Sequence, residues 1–249
     1  MQNFKNNKIT IITVVKNSVD KIERCIQSVI NQNYDNIEYI IVDGGSNDGT
    51  IDIIKKYQYK IDKVIIENDN GIWDAMNKGL KIAKGDIIGF LNSDDKYNQG
   101  TLKIVNNYFN NFKIDFIFGT VKKYKIMHGF SPWKIKYSFG FYTSHSVGFF
   151  INLNQHKKIG FYNLKYLSAD LDLFYKMIVK YKMKGISSKK KEIFGEFSKG
   201  GFSSKINYID HLADLNQIRI DNGQNKFLVY ILFFVKILKK PFKFFKSIT

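Results

Sequence analysis

The chain predicts an α/β fold, with a mostly parallel central sheet covered by helices on both faces. Three observations lead there. Apolar runs of strand length alternate with stretches whose apolar residues recur at helical spacing. The runs are rich in isoleucine and valine and lack the polar alternation of a strand with one wet face, which is the pattern of strands buried on both sides. Polar clusters follow the ends of three runs, Lys16-Asn17, Asp43 to Asp48 and Asn92 to Asp95. Open parallel sheets bind ligands at these carboxyl ends.

Residues 8–15, with Ile9, Ile11, Ile12, Val14 and Val15, predict the first strand. A helix follows over residues 20–32. Its stripe of Ile22, Cys25, Ile26, Val29 and Ile30 holds helical spacing, and Asp20 with Glu23 forms a capping pair at its start. Residues 37–42 predict a second strand, 50–57 a short helix and 63–66 a third strand. The turn Asp69-Asn70-Gly71 opens a helix with stripe Ile72, Ala75, Met76, Gly79 and Ala83. Gly85-Asp86 then turns into the strand Ile87-Ile88-Gly89-Phe90-Leu91, and residues 116–119 predict another strand. Residues 120–165 are aromatic-rich and read as irregular, and residues 166–184 read as a helix entered through Ser168-Ala169-Asp170.

With 249 residues and 44% hydrophobic content the chain can bury a sizeable core. The single cysteine, Cys25, lies on an apolar helical stripe and predicts a buried structural thiol rather than a nucleophile or a disulfide. The formal net charge is +17, which favours polyanionic partners: nucleic acid, anionic lipid or diphosphates. Arginine occurs only at Arg24 and Arg219. Bidentate base readout prefers arginine, so no specific nucleic-acid partner is expected. No signal peptide is recognisable, no run reaches the roughly 20 apolar residues that span a bilayer, and the active part is expected in the cytoplasm.

The most informative stretch is Phe90-Leu91-Asn92-Ser93-Asp94-Asp95, an apolar strand running straight into adjacent acids. Paired carboxylates at a strand end are costly unless a cation or polar partner waits there. Hard oxygen ligands of this kind suit Mg²⁺ or Mn²⁺, which clamp diphosphates. A lone Asp-Asp also fits a solvated turn, so the other clusters carry weight.

In order along the chain stand Thr13-Val14-Val15-Lys16-Asn17, Val42-Asp43-Gly44-Gly45-Ser46-Asn47-Asp48-Gly49-Thr50, Asp69-Asn70-Gly71-Ile72-Trp73-Asp74-Ala75-Met76-Asn77-Lys78-Gly79 and Gly85-Asp86-Ile87-Ile88-Gly89-Phe90-Leu91-Asn92-Ser93-Asp94-Asp95. Together they resemble a bacterial family 2 glycosyltransferase with the glycosyltransferase A fold. The likeness is dense over residues 8–105 and sparser at Ser144-His145, Ser168-Ala169-Asp170-Leu171-Asp172 and Gly200-Gly201-Phe202-Ser203. It implies one glycosyltransferase A type catalytic domain over residues 1–220, with a nucleotide-binding half at 8–120 and an acceptor half at 121–220.

The resemblance also implies roles. Thr13, Val15 and Asn17 fall in the segment that holds the nucleoside. Asp43 matches the acid that accepts a hydrogen bond from the base, typically uracil; the same residue could simply cap an Asp-Gly turn. Asp48 reads as the cap of the next helix. Asp69, Asn70 and Gly71 match the loop beneath ribose and donor sugar, and Lys78 is placed either to approach phosphate or to lie solvated on its helix. Many relatives carry Asp at the position of Asn92, where the amide still offers a neutral oxygen. Asp94 and Asp95 keep the charge for a divalent metal, one as ligand and the other holding sugar hydroxyls or water. His145 is implied at the donor diphosphate, the metal or the acceptor, with a structural histidine as the alternative. Asp170 matches the acid that serves as general base, stabilised in its ionised form by a helix N-terminus; a capping carboxylate is the other reading, and Asp172 ranks below it. Gly200-Gly201-Phe202-Ser203 resembles a loop that closes over the donor. The implied reaction is inverting, hexosyltransferase-type transfer from a nucleotide-sugar donor, UDP-linked, to a glycan or lipid-linked glycan acceptor of the bacterial surface.

Residues 221–249 read as a basic amphipathic helical tail. From Lys226 onward there are six lysines and no acid. Lys236, Lys239, Lys240 and Lys243 are expected on one helical face, Pro241 as a break, and Phe242, Phe244 and Phe245 as apolar anchors. The tail predicts an anionic membrane surface as partner and a peripheral position on the inner face of the cytoplasmic membrane; a helix packed on the catalytic domain is the other reading. Two other functions compete with the transferase reading. A nucleotidyltransferase would start with a Gly-rich phosphate loop, absent at Thr13 to Asn17. A non-catalytic basic binding module for membrane or nucleic acid would leave the ordered acids unexplained. A dinucleotide oxidoreductase is disfavoured because no Gly-x-Gly-x-x-Gly follows the first strand.

Overall fold

The computed structural model describes residues 5–137, 145–198, 206–239 and 241. In chain order, the first half contains β1 (Ile9–Val15), α1 (Val19–Ile30), β2 (Ile37–Asp43), α2 (Thr50–Lys56), β3 (Lys63–Ile66), α3 (Ile72–Ile82), β4 (Ile87–Asn92), β5 (Lys96–Tyr97) and α4 (Thr101–Asn111). The second half contains β6 (Phe116–Phe118), β7 (Thr120–Lys122), β8 (Ile126–Met127), α5 (Lys134–Tyr137), β9 (Phe149–Asn152), α6 (Leu153–Ile159), α7 (Ala169–Tyr175), β10 (Gly185–Ser187), β11 (Ile193–Glu196), α8 (Tyr208–Asp221) and α9 (Lys226–Lys239).

Seven strands form one sheet in the order β10-β6-β9-β4-β1-β2-β3. It is mostly parallel, as the buried apolar strands predict. The exception is β9, which runs antiparallel between β4 and β6. It arises from the stretch read as irregular: Phe149, Phe150 and Ile151 are too short a run to declare their partner locally. β5, β11, β7 and β8 form a second, four-stranded sheet.

Chain segments group into two compact units. The first (residues 1–130, 142–161 and 183–198) holds both sheets. The second (residues 131–141, 162–182 and 199–249) is helical in its described part, with α5, α7, α8 and α9.

The core of the first unit follows from the sequence periodicities. Helix α1 buries Ile22, Cys25, Ile26 and Val29, the predicted stripe. These pack with Ile9, Ile11, Val15, Tyr39, Ile41 and Leu91 of the central strands in one cluster. Each fully buried side chain of this size contributes about 1.5–3 kcal/mol. Cys25 is fully buried, and burial holds its thiol far above the usual range, as a structural cysteine requires. On α3, Gly79 lets the helix approach β1: a Cβ there would lie 2.6 Å from Ile12 Cγ2. That methyl is fixed to the central strand and cannot swing aside.

In the second unit, α7 is shorter than the predicted helix and passes into a wider π-type turn over Lys176–Lys180.

Gly79→Val should therefore overpack the interface of α3 with β1 and cost about 1–3 kcal/mol, read as a lower denaturant midpoint with an unchanged m-value.

Candidate active site

The site is built by register. β1 lies between β2 and β4, parallel to both. Val15 pairs with Asp43 and Val14 with Asn92. Three polar clusters distant in sequence therefore reach one rim, with Asp43 and Asn92 one residue apart in level.

The first two clusters are stapled together. Asn17 N–H donates to Ser46 Oγ at 2.8 Å, and Asn47 N–H donates to Asn17 Oδ1 at 2.9 Å. Gly44 N–H donates to Val15 O at 2.9 Å. Asn17 adopts φ 50°, the left-handed region that asparagine tolerates better than most residues. Asp48 accepts from Thr50 N at 3.0 Å, from Thr50 Oγ1 and from Val19 N at 3.1 Å, and so locks the starts of α1 and α2. The Thr50 hydroxyl leads in drawing the Asp48 pKa below its ordinary value.

Asp43 is fully buried at the end of β2. Its Oδ1 accepts from Gly45 N at 2.9 Å and Ser46 N at 2.7 Å, which shapes the Asp-Gly turn. Its Oδ2 has no hydrogen-bond partner. Both readings of Asp43 thus have a separate oxygen: one for the turn, one for a ligand. Asp69 reaches the same turn from the loop after β3. A Cβ on Gly44 would lie 2.1 Å from Asp69 Oδ2, and one on Gly45 2.4 Å from Asn68 Oδ1. The glycine pair lets these side-chain ends lie against its backbone, and Gly45, at φ 83°, also takes a left-handed conformation that favours glycine. Asp69 Oδ1 also accepts from Gly71 N at 3.0 Å, and Asn70 N–H donates to Asp74 Oδ2 at 3.0 Å. Gly71, at φ 106°, turns the chain into α3.

The acid turn is the third part of the rim. Asn92 N–H donates to Ser146 Oγ at 2.9 Å, while Asn92 Oδ1 is buried with no partner. Asp95 is 1% exposed, and its Oδ1 accepts from Ser198 N at 2.8 Å. Its Oδ2 is likewise buried and unpartnered. Burial and the neighbouring Asp94 charge push the Asp95 pKa up to about 7. Asp94 is half-buried. Its backbone carbonyl accepts from Arg24 Nη2 and from Ser198 Oγ, and Arg24 also donates to Ser198 Oγ at 2.8 Å. The structure thus divides the pair: Asp95 faces inward to fix the turn, and Asp94 is the more open carboxylate.

Could this turn take a divalent cation? Among the described residues no group of three or more His, Cys, Asp or Glu is placed to hold a metal ion. The donors present are all oxygens, and two of them, Asn92 Oδ1 and Asp95 Oδ2, lack partners. That set fits a hard cation held by one or two carboxylates and completed by phosphate oxygens and water, the usual arrangement of Mg²⁺.

Some predicted site residues fall elsewhere. Thr13 is fully buried and its hydroxyl lies 3.2 Å from Tyr39 OH and 3.9 Å from Cys25 Sγ. Val15 packs in the core cluster. On an alternating strand these two side chains share the inner face, so neither presents a side chain to a nucleoside; Asn17, beyond the strand, does reach the rim loop. Lys78 donates to Asn68 O at 2.7 Å and pairs with Glu67 at 3.0 Å and Asp74 at 3.7 Å. Burial lowers its pKa, but the nearby acids outweigh that and leave it raised. It is a tether for the loop before α3, its ammonium engaged by Asn68, Glu67 and Asp74. His145 is buried and stacked on Phe90 at 5.1 Å, with Trp73 edge-on at 5.8 Å. Burial, with a smaller effect of His156, pushes its pKa down to about 3. It is a neutral aromatic support beside the strand that ends in the acid turn.

In the second unit, Asp170 is half-buried in the first turn of α7. Asp172 is buried, accepting from Lys176 Nζ at 2.7 Å and Asn222 Nδ2 at 2.8 Å, so it is committed to structure. The entry to α7 is clamped by α8. Asp214 accepts from Leu167 N at 3.1 Å and Ser168 N at 2.7 Å, and His211 Nδ1 lies 3.1 Å from Ser168 Oγ. The predicted loop Gly200-Gly201-Phe202-Ser203 lies outside the described residues.

Sequence reasoning missed Arg24, Ser146 and Ser198. Arg24 sits on the outer face of an amphipathic helix, where it reads as an ordinary solvated cation. One signal was available: arginine is used only twice in this lysine-rich chain, and both guanidiniums reach backbone carbonyls, Arg24 at Asp94 and Arg219 at Ile135.

The sequence profile of "Glycosyl transferase family 2" matches residues 10–179. The chain belongs to this family. Among curated relatives it is 40% identical over 99 residues to the "Putative teichuronic acid biosynthesis glycosyltransferase TuaG" of Bacillus subtilis, covering 38% of this chain and 39% of the relative. It is 34% identical over 117 residues to the "Poly(ribitol-phosphate) beta-N-acetylglucosaminyltransferase TarP" of Staphylococcus aureus, covering 45% and 36%. The chain thus spans well under half the length of these relatives. The fold is shared with S. aureus TarS solved in complex with UDP-GlcNAc, at TM-score 0.70 and 18% identity over 91% of this chain and 70% of that one. It is also shared with the mannosyltransferase PcManGT of Pyrobaculum calidifontis solved with GDP-Man and Mn²⁺, at TM-score 0.66 and 15% identity over 92% and 69%. The expected glycosyltransferase A fold is met.

The buried histidines set an acid limit. His145 and His156 have folded pKa values pushed down by burial to about 3 and about 4, below the ordinary 6.5. The unfolded chain therefore binds more protons below pH 6.5, and stability present at neutral pH is lost as pH falls through that window. Each histidine should remove about 1.4 kcal/mol per pH unit, and Asp95, whose folded pKa is raised to about 7, offsets about one of the two over the same window. Denaturant titrations from pH 7 to pH 4.5 should show the fall, and His156→Gln should make it shallower.

Proposed function

We propose that this chain transfers a sugar from a nucleoside diphosphate donor, UDP-linked, to a hydroxyl of a growing bacterial surface glycan, with inversion at the anomeric carbon. The observation that supports it most is the set of buried oxygens without partners, Asp43 Oδ2 at the end of β2, Asn92 Oδ1 at the end of β4 and Asp95 Oδ2 in the turn that follows, with β1 between the two strands. A buried, unpaired polar atom is destabilising by about 1–3 kcal/mol, and three on one rim are accounted for by a polar ligand.

In this reading Asp43 Oδ2 accepts from the base N–H, while Oδ1 keeps the turn rigid. The loop at Asp69, Asn70 and Gly71 supports the ribose and donor sugar. Asp94 is the chain's principal ligand for Mg²⁺ or Mn²⁺, with Asn92 Oδ1 and Asp95 Oδ2 beside it; Ser198 and Arg24 fix the turn. The cation would offset charge on the diphosphate as it departs. Asp170 takes the proton from the acceptor hydroxyl, and the hydroxyl oxygen attacks the anomeric carbon as the bond to the diphosphate breaks. The teichoic-acid and teichuronic-acid relatives support a surface-glycan acceptor. We place that acceptor on a lipid carrier, with residues 1–220 as the catalytic region and the tail holding the enzyme peripherally at the inner face of the membrane.

A panel of nucleotide sugars, assayed for hydrolysis and transfer with and without Mn²⁺, tests the reaction. Turnover should require a UDP-sugar and a divalent cation and should give a product of inverted anomeric configuration; turnover that is unaffected by chelation rejects the metal role. Asp94→Asn should cut turnover about a hundredfold or more. Asp170→Asn should abolish transfer while UDP binding, read by calorimetry, stays within about twofold. Arg24→Lys, which keeps the charge but loses the fork, should raise the half-saturating Mn²⁺ concentration severalfold.

A further inference from the structure

The exposed face of α9 is apolar; of the four lysines expected on one cationic face, Lys236 and Lys239 lie among the described residues. Its exposed large side chains are Phe227, Tyr230, Ile231, Phe234, Val235 and Leu238. They recur at helical spacing and make one continuous apolar stripe. Phe227, Phe234 and Leu238 are 75%, 62% and 78% exposed. Val229, on the opposite side, is fully buried. Lys236 lies on the inner side too: burial leads in lowering the His211 pKa on α8, and the nearby Lys236 charge adds to it. At about 100° per residue, Lys226 and Lys239 flank the stripe, one on each side. Lys240, Lys243, Phe242, Phe244 and Phe245 lie outside the described residues.

No described helix is long and apolar enough to cross a membrane. A stripe of this kind, on a helix of 14 residues with lysines at its margins, suits a helix lying in the plane of a lipid surface. A second copy of the chain fits less well. From Lys226 to the end there is no acid, so pairing two stripes would bring lysine against lysine with nothing opposite to offset it. An anionic bilayer supplies both the apolar medium and the counter-charge.

We propose that the Phe227, Tyr230, Ile231, Phe234, Val235 and Leu238 face of α9 embeds in the interfacial layer of an anionic membrane, with Lys226 and Lys239 at the headgroups. The apolar stripe, rather than the lysines, is then the main anchor, and the lysines select anionic lipid. This deepens the membrane-facing placement proposed above. Its test reads binding alone, so it can fail while the transferase reading stands, and the reverse.

The full-length protein should float with phosphatidylglycerol-containing vesicles and much less with pure phosphatidylcholine vesicles. The triple variant Phe227→Ser/Phe234→Ser/Leu238→Ser should lower the vesicle partition coefficient about tenfold or more, with unchanged circular dichroism and donor hydrolysis. Lys226→Gln/Lys239→Gln should reduce the preference for anionic lipid, and should leave stronger binding than the triple variant does. Equal binding by wild type and triple variant overturns the proposal. So does a wild-type dimer in solution that the triple variant dissociates, because the stripe would then belong to a second copy.

Discussion

Backbone pairing of β1 with β2 and β4 is the constraint on which the rest depends. Parallel registry sets Val15 level with Asp43 and Val14 level with Asn92, so a turn-forming acid and an acid turn from different parts of the chain meet at one rim. The apolar core holds that registry: a slip of one residue would send Ile9, Ile11 and Val15 to the wrong face and Thr13 away from Tyr39. Position at the rim is therefore enforced by burial well below it.

Charge is managed at the rim by geometry. Asp43 and Asp95 are both buried, and each satisfies one oxygen with backbone N–H groups while leaving the other without a partner. Burial, with the Asp94 charge beside it, raises the Asp95 pKa, a cost that a nearby cation would reduce. Arg24 grips the Asp94 carbonyl and the Ser198 hydroxyl, which holds the turn through its backbone. Glycines 44 and 45 serve the same end, giving Asp69 and Asn68 room against the backbone.

In the second unit the same separation of duties recurs. Asp172 is tied to Lys176 and Asn222, whereas Asp170 stands at the first turn of a helix whose entry Asp214 clamps. The exposed stripe of α9 belongs to this unit as well. Surface lysine alone would have given a solvated helix; the orientation of α9 is what turns an apolar face outward.

The sequence by itself determined the alternation of β1 to β4 with α1 to α3, because apolar spacing along a single element is a local property that burial then selects. It also placed Asp43, Asp94 and Asp95 after strands, Asp48 as a cap and Cys25 in the core. Tertiary structure decided what depends on partners far along the chain. β9 became an antiparallel strand only by insertion between β4 and β6, and Ser198 reached Asp95 across 103 positions through the pairing of β11 with β5. Thr13, Lys78 and His145 carry side chains suited to a ligand, yet Tyr39, Asn68 and Phe90 engage them internally. Periodicity states which face of an element is apolar; only packing decides what that face meets.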